Sequence, residues 1–119
     1  MKKIYEDDEL ILIDTQNLNR AYPIVAFYGE KEIKYDYIDG LKISDLYNEL
    51  EYKIRHEIYK YCVEKKIYEN SLRSYVVFIE TLKKDNSDGK FIKKIEMLKN
   101  QMNHLKEDLD FAERFYNGK

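Results

Sequence analysis

Between residues 41 and 88 the chain contains no glycine or proline, and between 90 and 117 again none. Glycine and proline are the strongest interrupters of regular structure, so these stretches are confined to long uninterrupted elements. Of the 4 glycines and 1 proline in 119 residues, Pro23, Gly29 and Gly40 all fall in the first forty. Short elements joined by turns are therefore expected before Gly40, and helices after it.

The apolar pattern agrees. Glu9 to Asp14 (ELILID) and Ile24 to Tyr28 (IVAFY) are short β-branched apolar runs, the pattern of strands buried on both faces. From Glu32 to Ile38, Ile33, Tyr35 and Tyr37 alternate with polar residues, which is the period of a half-buried strand. Gly29-Glu30-Lys31 supplies a hairpin turn, and Lys3 to Tyr5 a short additional strand. These segments predict a mainly antiparallel sheet of about three strands.

Beyond Gly40 the spacing becomes helical. Ser44, followed by Asp45, is an N-cap candidate, and Ile43, Tyr47, Leu50, Ile54, Ile58 and Tyr61 mark one face of a helix ending near Ile67. Tyr52, His56, Tyr59 and Val63 form a second stripe on it. A second helix, capped by Asn70 or Ser71, carries Leu72, Tyr75, Val76, Ile79 and Leu82 to Lys84, although Val76 to Ile79 also suits a strand. After a turn at Asp85 to Gly89, a third helix presents Phe91, Ile95, Leu98, Met102, Leu105, Leu109, Ala112 and Tyr116 at alternating spacings of 4 and 3. This is a coiled-coil-like heptad seam. The whole reads as one α+β domain over 1–119, with a sheet part at 1–40 and a helical hairpin or bundle at 41–119.

Composition then narrows function. An apolar content of 44% with 37% charged residues describes a soluble domain, and a net charge of −2 excludes a polybasic tail protein. A single cysteine, Cys62, excludes a disulfide framework and multi-cysteine zinc sites. With no apolar run of membrane-spanning length and no secretory leader at the start, the expected compartment is the cytoplasm.

The only histidines are His56 and His104, neither paired with another ligand at metal-binding spacing. Glycine-rich phosphate loops and serine nucleophile elbows are missing. Glu6-Asp7-Asp8-Glu9 reads as a solvated run or a weak cation site, and the loop around Asn17, Asn19, Arg20 and Tyr22 has ligand-type donors without a specific spacing. No catalytic, cofactor or metal residue is assigned, and an enzyme is not expected.

Surfaces for partners are better marked. Tyr52, His56, Tyr59 and Val63 on the first helix and Leu98, Met102, Leu105 and Leu109 on the third are the candidate protein interface. The third helix carries about +3 net charge over Lys90 to Lys99 and about −3 over Asn100 to Glu113. A parallel dimer would set Lys94 against Lys99 and Asp108 against Glu113, whereas an antiparallel one matches opposite ends. An antiparallel homodimer is therefore expected, unless the first two helices fill the seam within one chain.

The expected function is a small non-enzymatic interaction or regulatory protein. Its size and lysine-rich, arginine-poor composition suit a mobile-element accessory, such as an inhibitor of a host factor. The alternative is a nucleic-acid-binding regulator contacting phosphates through Lys83, Lys84, Lys90, Lys93 and Lys94.

Overall fold

A computed structural model describes residues 1–17, 19–42, 48–85 and 88–118. It is an α+β structure: a four-stranded antiparallel sheet in the order β1-β2-β3-β4 precedes three helices. The chain divides into two compact units, Met1–Lys65 and Lys66–Lys119. The first helix thus belongs with the sheet, so the division falls well beyond the Gly40 boundary read from composition. No helix among the described residues is long and apolar enough to cross a membrane.

In the first unit, β1 (Lys2–Glu6), β2 (Leu10–Asp14), β3 (Ile24–Tyr28) and β4 (Lys31–Tyr35) form a meander. The optional strand at Lys3 to Tyr5 is realised as β1, with a register shift between Lys3 and Tyr5. Gly29 and Glu30 make a two-residue hairpin in which Gly29 takes φ 59°, and Tyr28 pairs directly with Lys31. A glycine with positive φ at the first turn position matches the right-handed twist of the flanking strands.

Burial on both faces is corrected for β2. Leu10, Leu12 and Asp14 are buried, while Ile11 and Ile13 on the other face are half-buried. The fourth strand also stops short of Ile38. Asp36 and Asp39 each accept the other's backbone N–H, at 2.8 and 2.7 Å, which caps a 3-10 turn over Tyr37–Leu41. That reciprocal capping satisfies two amides locally and replaces further strand pairing.

The first helix, α1 (Glu49–Glu64), packs on the 3-10 turn and against β1. Asn48, in an extended conformation, is its N-cap and accepts the Leu50 N–H at 2.8 Å. The expected cap at Ser44, with Ile43, Asp45 and Tyr47, lies outside the described residues, as do Asn86 and Ser87 of the later turn. Ile54, Ile58 and Cys62 are fully buried, and Tyr59 nearly so. Arg55 ties α1 to the preceding segment by donating to the Lys42 carbonyl (2.8 Å) while pairing with Glu51, which also accepts from Tyr35 (3.0 Å).

The helix stops earlier than expected. Lys66 adopts φ 57°, a left-handed residue beyond the Lys65 C-cap, and the second helix starts at once at Ile67. Glycine is the usual occupant of such a position, so a lysine there gave no signal.

In the second unit, α2 (Ile67–Asp85) and α3 (Ile92–Tyr116) pack together. The strand reading of Val76 to Ile79 is excluded: Ile79 alone is buried, while Val76, Val77 and Phe78 are 47%, 59% and 47% exposed. Ser71, Ser74 and Thr81 remain compatible with the helix by donating their hydroxyls to the carbonyls of Ile67, Asn70 and Val77. Phe91 opens α3 without a side-chain cap, and no acidic residue occupies its first turn.

Candidate functional site

Two helical faces create a concavity in the second unit. Ser71, Ser74, Tyr75 and Phe78 of α2 and Lys94 and Leu98 of α3 line a groove of about 480 Å³. The serine hydroxyls are engaged with their own helix backbone, so the groove is apolar in character with a cation at one side. The Lys94 ammonium lies 5.6 Å from the Phe78 ring centroid, a cation–π distance. Such a groove suits an apolar side chain carried next to a carboxylate.

The structure brings together only part of the predicted interface. On α1, Tyr52 is 38% and Val63 45% exposed, His56 is half-buried, and Tyr59 is only 2% exposed. Tyr52 and His56 stack at 5.7 Å, with planes 7° apart. The stripe is therefore interrupted: Tyr59 belongs to the core rather than to a surface. Along α3, Leu98, Met102 and Leu109 are half-buried and Leu105 is 7% exposed. Ile95, Ala112 and Tyr116 of the same seam are buried too, and α2 packs on this helix.

What the sequence reading missed lies on the other side of α3. Met97, Phe111 and Phe115 are 50%, 54% and 44% exposed. Phe111 and Phe115 are one helical turn apart, beside Asp108 and Asp110. The spacing was visible, but the stronger heptad of the inner seam masked it.

All five lysines of the proposed phosphate contact are exposed around the α2–α3 turn. Lys83 pairs with Glu80 (3.3 Å), and Lys90 lies 5.0 Å from the Phe91 ring centroid. Lys94 lies by the Phe78 ring at the groove, and Lys84 and Lys93 are exposed on the same end.

Residues that looked chemical in the first unit are explained by folding. Asp7 accepts from Tyr5 (2.6 Å) and from the Glu9 and Leu10 amides (2.8 Å each), and pairs with Lys53. The Lys53 ammonium and then the Tyr5 hydroxyl hold its carboxyl well below the usual carboxylate range. Glu6 pairs with Lys3, and the acidic run is the β1–β2 connection, fastened to α1 by the Asp7–Lys53 pair. Among the described residues no cluster of metal-ligating side chains occurs.

At the centre of this unit Asp14 is 1% exposed and accepts from the Tyr61 hydroxyl (2.6 Å), the Tyr37 hydroxyl (3.0 Å) and the Gln16 amide (2.8 Å). Burial first, and then the Asp14 carboxylate, push the Tyr37 phenol up to about 12 and that of Tyr61 further. Tyr35 is raised by burial and by Glu51. Raised phenol values mean stability that is complete below the ordinary tyrosine range, near pH 10, and is lost as pH climbs through the folded-state values. Absorbance at 295 nm should show these three phenols ionising only above the ordinary tyrosine range, together with loss of the folded circular dichroism signal. Ionisation of these three near pH 10 in folded protein contradicts the network.

No family model, curated protein or solved structure matches the chain. The functional reading therefore rests on the groove, the exposed aromatic pair and the charge distribution of α3.

Proposed function

We propose that the protein is a non-enzymatic interaction module whose working surface is the α2–α3 hairpin, and that it self-associates in antiparallel fashion through α3. The observation that carries this reading is the groove of Phe78, Tyr75 and Leu98 with Lys94 at its side, on a helix whose far half bears acids and exposed phenylalanines. Exposed apolar groups concentrated on one hairpin are the mark of an interaction surface.

The occupant proposed for the groove is the acidic half of α3 from a second copy. Lys94, Gln101 and Asp108 are seven residues apart and therefore lie along one line of the helix. Reversed about Gln101, two such lines set each Lys94 opposite the other copy's Asp108, while Phe111 approaches the Lys90 end. The coiled-coil-like use of α3 is then intermolecular and runs beside the inner seam, against which α2 packs. Such a dimer would present the remaining hairpin surface to a protein partner, as an accessory protein inhibiting a host factor would.

Sedimentation over a concentration range from about one to several hundred micromolar tests the reading: a reversible monomer–dimer equilibrium is expected. A strict monomer throughout rejects it. Phosphate-backbone binding by Lys84 and Lys93 is the competing reading, and steeply salt-dependent retention of duplex DNA would favour it.

A further inference from the structure

The second face of the sheet carries a concavity independent of the helical hairpin. A meander with one face against a helix ordinarily exposes polar side chains on the other. Here Ile13 of β2 and Val25 and Phe27 of β3 lie on that other face, with Val25 only 3% exposed. They line a cavity of about 420 Å³ together with Met1 at the amino terminus, Thr15, Asn17 and Arg20 from the β2–β3 loop, and Glu32 from β4. The volume lies at the small end of the range for small-molecule sites, roughly 300–1,000 Å³.

The loop that supplies Asn17 and Arg20 is fastened at several points. Thr15 donates its amide (2.9 Å) and its hydroxyl (2.7 Å) to the Pro23 carbonyl. Gln16 holds φ 57° and donates its amide to Asp14, while the Arg20 amide donates to the Asn17 carbonyl at 3.0 Å. These bonds fix the backbone on either side of the cavity, which lowers part of the ordering cost of binding.

Both charged side chains at the cavity lack an ion-pair or hydrogen-bond partner among the described residues. A dianion such as a phosphate would meet Glu32, and a simple cation would meet Arg20. A ligand carrying both signs satisfies both groups, and its apolar part covers Val25, Ile13 and Phe27. Opposite charges on one small frame beside an apolar body describe a free amino acid with a large hydrophobic side chain.

We propose that this cavity binds a free hydrophobic α-amino acid: Arg20 takes the carboxylate, Glu32 the ammonium, and Phe27 and Val25 the side chain. A guanidinium suits the carboxylate because its fork matches two oxygens at once.

The test is titration of the full-length protein with L-phenylalanine, 3-phenylpropionate (no ammonium) and phenethylamine (no carboxylate), followed by amide NMR shifts. Saturable shifts of the β2, β3 and β4 amides around the cavity are expected, with a midpoint on the order of 1 mM or below for L-phenylalanine, at least about tenfold tighter than for either analogue. Arg20→Gln should abolish the advantage over phenethylamine, and Glu32→Gln the advantage over 3-phenylpropionate. Both side chains are exposed, so each variant's unliganded spectrum should retain the native pattern. No saturation by 10 mM, equal binding of the three probes, preference for either analogue, or indifference to both substitutions overturns the proposal.

Discussion

Replacing Asp14 with alanine is expected to lower the unfolding free energy by about 3–5 kcal/mol, a large share of the roughly 5–15 kcal/mol typical of a domain. The carboxylate is 1% exposed and serves three donors: the Tyr61 hydroxyl, the Tyr37 hydroxyl and the Gln16 amide. Truncation removes the acceptor and leaves those donors facing a void. Each buried donor without a partner costs about 1–3 kcal/mol, and relaxation or an entering water offsets part of the total. Asp14→Asn should cost less, because one carbonyl oxygen remains to accept from one phenol while the amide confronts the other. Urea denaturation of the purified protein measures both. A loss below about 1 kcal/mol for the alanine variant would sink the idea that this carboxylate anchors the sheet to α1 and the 3-10 turn. A double-mutant cycle with Tyr61→Phe should show strong coupling, since the two side chains share one hydrogen bond.

The importance of Asp14 was not legible in the sequence. It stands at the end of a readable strand, where an aspartate ordinarily marks the start of a turn. Its partners lie 23 and 47 residues further along the chain, and only the closed fold brings them together. Tyr61 was readable as a core residue by helical spacing, but its hydroxyl's destination was not. The strands around Asp14 were legible because five-residue apolar runs leave few other options in a segment punctuated by Pro23 and Gly29. The ends of α1 were not, since Asn48 and Lys66 decide them and neither stands out among stronger candidates nearby. Ser44 looks like the better cap, and a left-handed lysine has no sequence mark at all. In the second unit the heptad of α3 correctly identified its inner face. It could not show how much of that face is buried, nor that Phe111 and Phe115 remain outside.

That distinction determines how the charge gradient of α3 can act. With much of the inner seam buried, the proposed second copy engages the flank that adjoins the groove, where Lys94, Gln101 and Asp108 align. Lys99 lies on the flank away from the groove, and in the register centred on Gln101 it opposes the uncharged Asn103. Lys94→Glu is therefore expected to weaken the dimer about 30-fold at low salt. Two symmetry-related attractions of about 0.5 kcal/mol each become repulsions of similar size, a change of about 2 kcal/mol in all. Lys99→Glu serves as the control and should leave the dissociation constant within about twofold. Combining Lys94→Glu with Asp108→Lys restores opposite signs across the axis, so dimerisation should return to near its original strength, and the effect of the single substitution should shrink as salt rises. Sedimentation equilibrium on the four proteins reads all of this directly. Equal weakening by Lys94→Glu and Lys99→Glu would place the contact on the inner seam instead, which requires α2 to leave α3. Failure of the double substitution to recover would reject the antiparallel register centred on Gln101.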